Sequence, residues 1–125
     1  MKVMLIDDSK TMRNIQKSVL KQLGITDLCE ACDGQDAIEK VFDFAPELVL
    51  VDWNMPRMDG LTFVQTFREK DKSTPLIMVT TEAEKVRVIE AIKAGVNNYV
   101  VKPFTPDLLG QRIKETMAKL HSRAA

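Results

Sequence analysis

Short, unbroken apolar runs alternate along this chain with segments whose apolar residues recur at helical spacing, and that alternation limits the fold more than any other feature. Val3-Met4-Leu5-Ile6, Leu48-Val49-Leu50-Val51 and Leu76-Ile77-Met78-Val79 are apolar throughout. Runs this short and this apolar indicate strands buried on both faces, as in a parallel sheet covered by helices, rather than strands with one wet face. Leu28 to Cys32 and Tyr99-Val100-Val101 complete the set of strands. Between them, Met12, Ile15, Val19 and Leu23 keep helical spacing before Gly24. Ala37, Ile38, Val41 and Phe42 form a stripe after Asp33-Gly34, and Leu61, Val64 and Phe67 mark a third helix. Val86, Ile89 and Ile92 mark a fourth that ends near Gly95. Thr105-Pro106-Asp107 is a strong start signal (cap, proline at the first helical position, acid in the first turn) for a last helix carrying Leu109, Ile113, Met117 and Leu120. Five strand–helix units joined by short connections predict an α/β domain with a parallel sheet.

The chain of 125 residues suits a single domain over 1–125 with no output domain. Lys plus Arg balances Asp plus Glu at 18 each, which lacks the basic footprint of a nucleic-acid binder. No apolar stretch approaches a membrane span, and the apolar N-terminus reaches Asp7-Asp8 too soon for a signal peptide, so a cytoplasmic protein is expected. Cys29 and Cys32 have C-x-x-C spacing, but the only other soft ligand is His121 on the polar side of the last helix. Residues three apart on a strand face opposite ways, so two reduced thiols in or beside a core are expected.

Functional groups collect where the strands end. The first strand stops at Asp7-Asp8, the third at Asp52, the fourth at Thr80-Thr81 and the last at Lys102. In an open parallel sheet the carboxyl ends of the strands share one edge, and ligands bind there. Three carboxylates crowded at one edge require neutralisation. Oxygen-only ligands favour Mg²⁺ over zinc, and Lys102 can balance the remaining charge. Such a site suits phosphoryl transfer to a positioned carboxylate.

These residues carry a family resemblance. Asp7-Asp8, Asp52-Trp53-Asn54-Met55-Pro56-x-Met58-Asp59-Gly60, Val79-Thr80, Ala94-Gly95 and Lys102-Pro103-Phe104 stand in the order and spacing of a two-component receiver domain, across essentially the whole chain. Asp52 to Pro56, Met78 to Thr80, Glu82-Ala83 and Tyr99 to Phe104 are similar to the stand-alone chemotaxis regulators of that family. The resemblance implies a flavodoxin-like (βα)5 doubly wound fold with strand order 2-1-3-4-5. It implies that Asp52 accepts a phosphoryl group from a sensor histidine kinase, with Mg²⁺ held by Asp8, Asp52 and the Asn54 backbone carbonyl, and by Asp7 through a water. Lys102 pairs with the acceptor, Thr80 is the switch hydroxyl, and Tyr99 is the aromatic switch that reshapes the surface of the fourth helix, last strand and last helix. A cis Lys102–Pro103 bond is implied as well. Asp59 and Gly60 are expected to shape the loop, and Lys10 to lie near the pocket mouth. Asn54 and Glu82 flank the path of a hydrolytic water and are expected to tune dephosphorylation.

On this reading the chain is a monomeric signalling switch rather than an enzyme, catalysing only its own phosphorylation and slow dephosphorylation. Its expected partners are a chemotaxis histidine kinase, a flagellar motor switch protein or other protein target, and a phosphatase. A phosphate sink or a non-motility adaptor would carry the same motifs. A phosphatase of the haloacid dehalogenase type also uses an aspartyl nucleophile and Mg²⁺. It wants a carboxylate two residues after the nucleophile, where this chain has Asn54. A flavodoxin-like flavin carrier needs a Ser/Thr/Gly-rich phosphate loop after the first strand, where Asp7-Asp8 would repel the phosphate.

Overall fold

The computed structural model describes residues 1–124, with side chains described through residue 119. Five parallel strands, β1 (Lys2–Ile6), β2 (Asp27–Ala31), β3 (Leu48–Val51), β4 (Leu76–Thr80) and β5 (Asn98–Val101), alternate with five helices. These are α1 (Lys10–Gln22), α2 (Gly34–Phe44), α3 (Gly60–Arg68), α4 (Lys85–Ala94) and α5 (Pro106–Ala124). The strand order is β2-β1-β3-β4-β5, the doubly wound flavodoxin-like arrangement. Among the described residues no helix is long and apolar enough to cross a membrane.

Alternation along the strands builds two cores, one on each face of the sheet. Val3, Leu5, Leu48, Leu50, Ile77 and Val79 pack against Val19 and Leu20 of α1 and Leu109 and Ile113 of α5. Met4, Ile6, Val49, Val51, Leu76 and Met78 pack against α2, α3 and Ala91 of α4. Only β1, β3 and β4 are covered on both faces, which is why they read as unbroken apolar runs. The edge strands β2 and β5 are only partly buried.

Local chemistry sets the helix ends. Ser9, Asp33 and Asp59 each accept a backbone N–H from three residues ahead, at Met12, Asp36 and Thr62, satisfying one of the donors that a helix start leaves free. Thr105 does the same for Leu108, as its start signal predicts. At the other end of α4, Gly95 takes φ 116°, a left-handed backbone that a side chain resists.

Three helical stripes sit differently from the sequence expectation. On α1 the buried residues are Gln16, Val19 and Leu20, while Ile15 is exposed. On α2, Phe42 turns outward and leans on Phe67, with the Lys70 ammonium 5.5 Å above its ring. On α4 all three marker residues are exposed, Val86 at 64%, Ile89 at 42% and Ile92 at 56%, and the small Ala91 is the one buried against the sheet. Strand β2 ends at Ala31, leaving Cys32 exposed just beyond it and Cys29 half-buried, both as free thiols. The expectations for Leu120 and His121 fall outside the residues whose side chains are described.

The buried position of Gln16 yields a first prediction. Its side chain is 2% exposed, and its Oε1 has no hydrogen-bond partner among the described residues. An unpaired buried amide oxygen costs about 1–3 kcal/mol. Gln16→Met keeps the length and removes the polar atoms, so it should raise the unfolding free energy by about 1 kcal/mol, read as a higher urea midpoint at unchanged slope.

Candidate functional site

Strand register places the acidic cluster. Ile6 of β1 lies opposite Val51 of β3, so the residues that follow each strand, Asp7 and Asp52, emerge side by side. The strand order reverses at β1, which lies between β2 and β3 at the middle of the reversal. This is the crevice where ligands bind in open α/β sheets. Carboxylate oxygens of Asp7, Asp8 and Asp52 all lie within 4.8 Å of one another. Asp7 and Asp52 are buried and Asp8 is exposed.

Lys102 closes the cluster from β5. Its backbone N–H bonds to the Thr80 carbonyl at 2.8 Å, extending the β4–β5 pairing by one residue. Its ammonium bonds to Asp7 at 2.8 Å and to Asp52 at 3.1 Å, tying residues 95 and 50 positions away in sequence. The Lys102–Pro103 peptide bond is cis. Burial works against the Lys102 charge, but the two carboxylates outweigh it and hold the ammonium above its ordinary range. Burial likewise pushes the Asp7 carboxyl above its ordinary value, against the pull of Lys102 and the Ser9 N–H, and the charge of Asp52 adds to the rise.

Each oxygen of the Asp52 carboxylate accepts one hydrogen bond and keeps a lone pair for a cation. Oδ1 takes the Trp53 N–H at 2.7 Å and Oδ2 takes Lys102. The donor set at this edge is hard oxygen from three carboxylates, with no imidazole or thiolate among them, which fits Mg²⁺. Asp7, Asp8 and Asp52 are the side chains that could hold such an ion.

The structure also links the other expected residues. Thr80 is fully buried, and its hydroxyl accepts the Glu82 N–H at 3.3 Å, whereas Thr81 is exposed. Asn54 donates to the Glu82 carboxylate at 3.0 Å across 28 positions of sequence. Tyr99 donates its hydroxyl to the Glu82 backbone carbonyl at 2.6 Å. Burial, with the charges of Glu82 and Asp52, pushes the Tyr99 phenol up to about 12, so it remains a neutral donor at physiological pH. The loop after β4 is therefore held at one residue by Thr80, Asn54 and Tyr99. Lys10 is exposed on the first turn of α1.

Several supports had no sequence signal. Arg13 donates to the Asp7 carbonyl and pairs with Glu30 at 2.9 Å. Arg57, at φ 65°, reaches back to Asp33 at 2.6 Å, and the Gly34 N–H bonds to the Met58 carbonyl at 2.9 Å. These last contacts seat the loop after β3 on the start of α2. Arg13 sits on what reads as a solvated helix face, and nothing local distinguishes it. Ser9 was detectable as a cap three residues ahead of Met12.

A family model described as the response regulator receiver domain matches residues 3–114, and the chain belongs to that family. Receiver domains are signalling modules of two-component systems. Among its relatives, the chain is 50% identical over 117 residues to chemotaxis protein CheY1 of Helicobacter pylori, covering 91% of this chain and 94% of that one. It is 41% identical over 123 residues to chemotaxis protein CheY of Pseudomonas aeruginosa, covering 97% of this chain and 99% of that one. The solved structure of Vibrio cholerae chemotaxis protein CheY4 superposes with a TM-score of 0.85 at 32% identity, covering 92% of this chain and 97% of that one.

The raised Asp7 carboxyl sets a pH prediction. A carboxyl whose folded pKa is raised takes up a proton sooner as pH falls, and a protonated Asp7 is a poorer partner for a cation. Mg²⁺ affinity should therefore begin to fall at a pH above the ordinary aspartate value of 3.8. Titrations of Mg²⁺ at a series of pH values should show that bend in the native protein and a flatter profile in Asp7→Asn.

Proposed function

We propose that this chain is a signalling switch whose Asp52 accepts a phosphoryl group from the phosphohistidine of a sensor kinase. The observation that carries the reading is the cluster of Asp7, Asp8 and Asp52 with the Lys102 ammonium seated on two of them. In this reading Asp8, Asp52 and the Asn54 carbonyl hold Mg²⁺, with Asp7 acting through a water. When bound, the ion neutralises charge on the transferred group.

Asp52 attacks with the oxygen it now offers to Lys102, and Lys102 shifts to the phosphoryl oxygens. Thr80 turns its hydroxyl from Glu82 toward the new acceptor. One or two charge-assisted hydrogen bonds, at roughly 1.5–3 kcal/mol each, suffice to invert a two-state population whose members differ by a few kcal/mol. The bistable element is the loop at Glu82, already grasped by Tyr99, which passes the change to the surface of α4, β5 and α5. Asn54 and Glu82 control water access to the acyl phosphate and so set its lifetime.

The relatives named as chemotaxis proteins support an output in chemotaxis. In this reading the target is a flagellar motor switch protein and the compartment the cytoplasm. The exposed residues Val86, Ile89 and Ile92 on α4 and Val101 on β5 favour a protein-binding output over a bare phosphate sink, because apolar surface of this kind serves partners. Trp53 reports on the site, since it neighbours Asp52 and stacks under the Arg87 guanidinium of α4 at 5.4 Å. Its fluorescence should change on adding Mg²⁺ and again on adding beryllofluoride, and acetyl phosphate should add the mass of one phosphoryl group only when Mg²⁺ is present. Labelling that ignores Mg²⁺, or none at all, would sink the reading.

A further inference from the structure

The Asp7–Asp8 peptide plane is held from outside the site. The Asp7 N–H bonds to the Ala31 carbonyl at 3.1 Å, and the Asp7 carboxylate is engaged by the Ser9 N–H and Lys102. The remaining polar group, the Asp7 carbonyl, takes Nη1 of Arg13, whose side chain is only 15% exposed. That carbonyl and the Asp8 N–H share one rigid peptide plane. Fixing the carbonyl therefore fixes the plane from which Asp8 departs. Asp8 is exposed, so neighbouring side chains do not confine it as they do Asp7, and its direction depends on its backbone.

A guanidinium beside a cation site would ordinarily repel the cation. Here Glu30 receives Arg13 Nε at 2.9 Å and, with its other oxygen, Lys17 at 3.2 Å. Its carboxylate offsets the positive charge that the tie brings to the pocket rim. β1–β2 register sets the arrangement: Leu5 pairs with Glu30, so Glu30 stands beside the end of β1 and within reach of the second turn of α1.

We propose that Arg13, seated on Glu30, is a positioning residue for the cation site, fixing the Asp7–Asp8 peptide plane so that Asp8 is aimed into the pocket. This rests on the reading that Asp7, Asp8 and Asp52 hold Mg²⁺. Outer contacts that orient metal ligands typically contribute about 10–100-fold in affinity.

The test is a Mg²⁺ titration followed by Trp53 fluorescence and by calorimetry, well below the melting temperature. Arg13→Met keeps the aliphatic bulk and loses the donor, and should weaken Mg²⁺ binding about tenfold. Arg13→Lys restores a donor to the carbonyl and should recover part of that loss. Lys17→Met removes the other Glu30 pair without touching Asp7, and should leave the affinity within about twofold, which a general loosening of α1 would not do. Glu30→Ala removes the seat of Arg13 as well as a charge, so the part of its loss in Mg²⁺ affinity that comes from lost positioning should persist at high ionic strength, where a charge effect fades. It carries the test if Arg13→Met fails to fold. A native-like affinity in Arg13→Met, or a loss in Glu30→Ala that vanishes at high ionic strength where that variant stands in for it, or an equal loss in Lys17→Met, would overturn the proposal alone. A native protein that ignores Mg²⁺ would remove the cation reading and this proposal together.

Discussion

Asp52→Asn is expected to abolish labelling by acetyl phosphate while leaving the fold intact. Both oxygens of Asp52 act as acceptors, one for the Trp53 N–H and one for Lys102. An amide has one acceptor and one donor, so one of these contacts must become donor against donor. Lys102 still has Asp7 at 2.8 Å, so the amide nitrogen turns toward the lysine and the Trp53 contact survives. The structural penalty is therefore small, and far-UV circular dichroism should be unchanged. The chemical penalty is complete, because the amide oxygen carries no charge and makes a poor nucleophile.

Mg²⁺ binding should fall with it. Asp7, Asp8 and Asp52 against Lys102 give a formal charge of −3 + 1 = −2, which the substitution reduces to −1. A unit charge 4 Å away is worth roughly 4 kcal/mol at the effective dielectric of a protein surface, and a third of that is already about tenfold in affinity. Intact-mass spectrometry and the Trp53 titration read the two effects separately. Phosphoryl label on the variant at the native level would move the acceptor to another carboxylate.

The parts of this site that were legible from the apolar pattern alone share one property: each lies at the end of an apolar run, whereas Asn54, Glu82 and Tyr99 were legible only through the family resemblance. Asp7, Asp52 and Thr80 follow or close strands buried on both faces, and a parallel sheet gathers such ends at one edge whatever lies between them. Lys102 was legible for the same reason on β5, but its division between Asp7 and Asp52 was not, since that depends on strand order. Helical faces were read less well. A period of 3.6 shows which residues share a stripe, but not which one sits at its centre, and that is set by how the helix docks. On α1 the docking angle brings Gln16 inward and leaves Ile15 out. On α4 the close approach to the sheet is made by Ala91, so the larger Val86, Ile89 and Ile92 are left for other contacts. Arg13 and Arg57 were illegible because an arginine tied to a distant carboxylate, whether its side chain is largely buried like Arg13 or exposed like Arg57, is written like a solvated one. Only the position of Glu30 and Asp33 across the fold distinguishes them.

Gly60→Ala is expected to produce the largest loss of stability of any single methyl added to this domain's glycines, together with loss of the Mg²⁺ response. The backbone at Gly60 is ordinary helix, so conformational freedom is not the issue; space is. A Cβ there would lie 1.9 Å from the Asp52 carbonyl oxygen, 2.8 Å from its carbon and 2.9 Å from the Trp53 Cα. All three are backbone atoms, and the segment cannot drift away, because Asp52 N–H is bonded to Ile6 O at 2.9 Å and Gly60 N–H to Trp53 O at 2.8 Å. Relief requires moving α3 or the end of β3, at a cost of about 3 kcal/mol or more. Either movement carries the Asp52 carboxylate away from Asp7 and Asp8. A displacement of about 1 Å in a site of this kind can cost on the order of a hundredfold in function. Gly34→Ala strikes the same loop from the other side, 2.5 Å from the Met58 carbonyl oxygen and 2.8 Å from its Cβ, an overlap shallower than at Gly60, and Met58 lies in a loop outside the sheet and helices, with its Cγ at 2.7 Å free to swing aside. Its loss should be smaller. Gly110→Ala supplies the opposite sign: the nearest atom is Val19 Cγ1 at 3.9 Å, and a glycine within a helix is about 1 kcal/mol less favourable than alanine. Urea unfolding of the three variants should therefore rank Gly110→Ala above the native protein, Gly34→Ala below it and Gly60→Ala lowest. A Gly60→Ala protein as stable as the native one would mean that the close approach of α3 to the Asp52 backbone does not hold the acceptor in place.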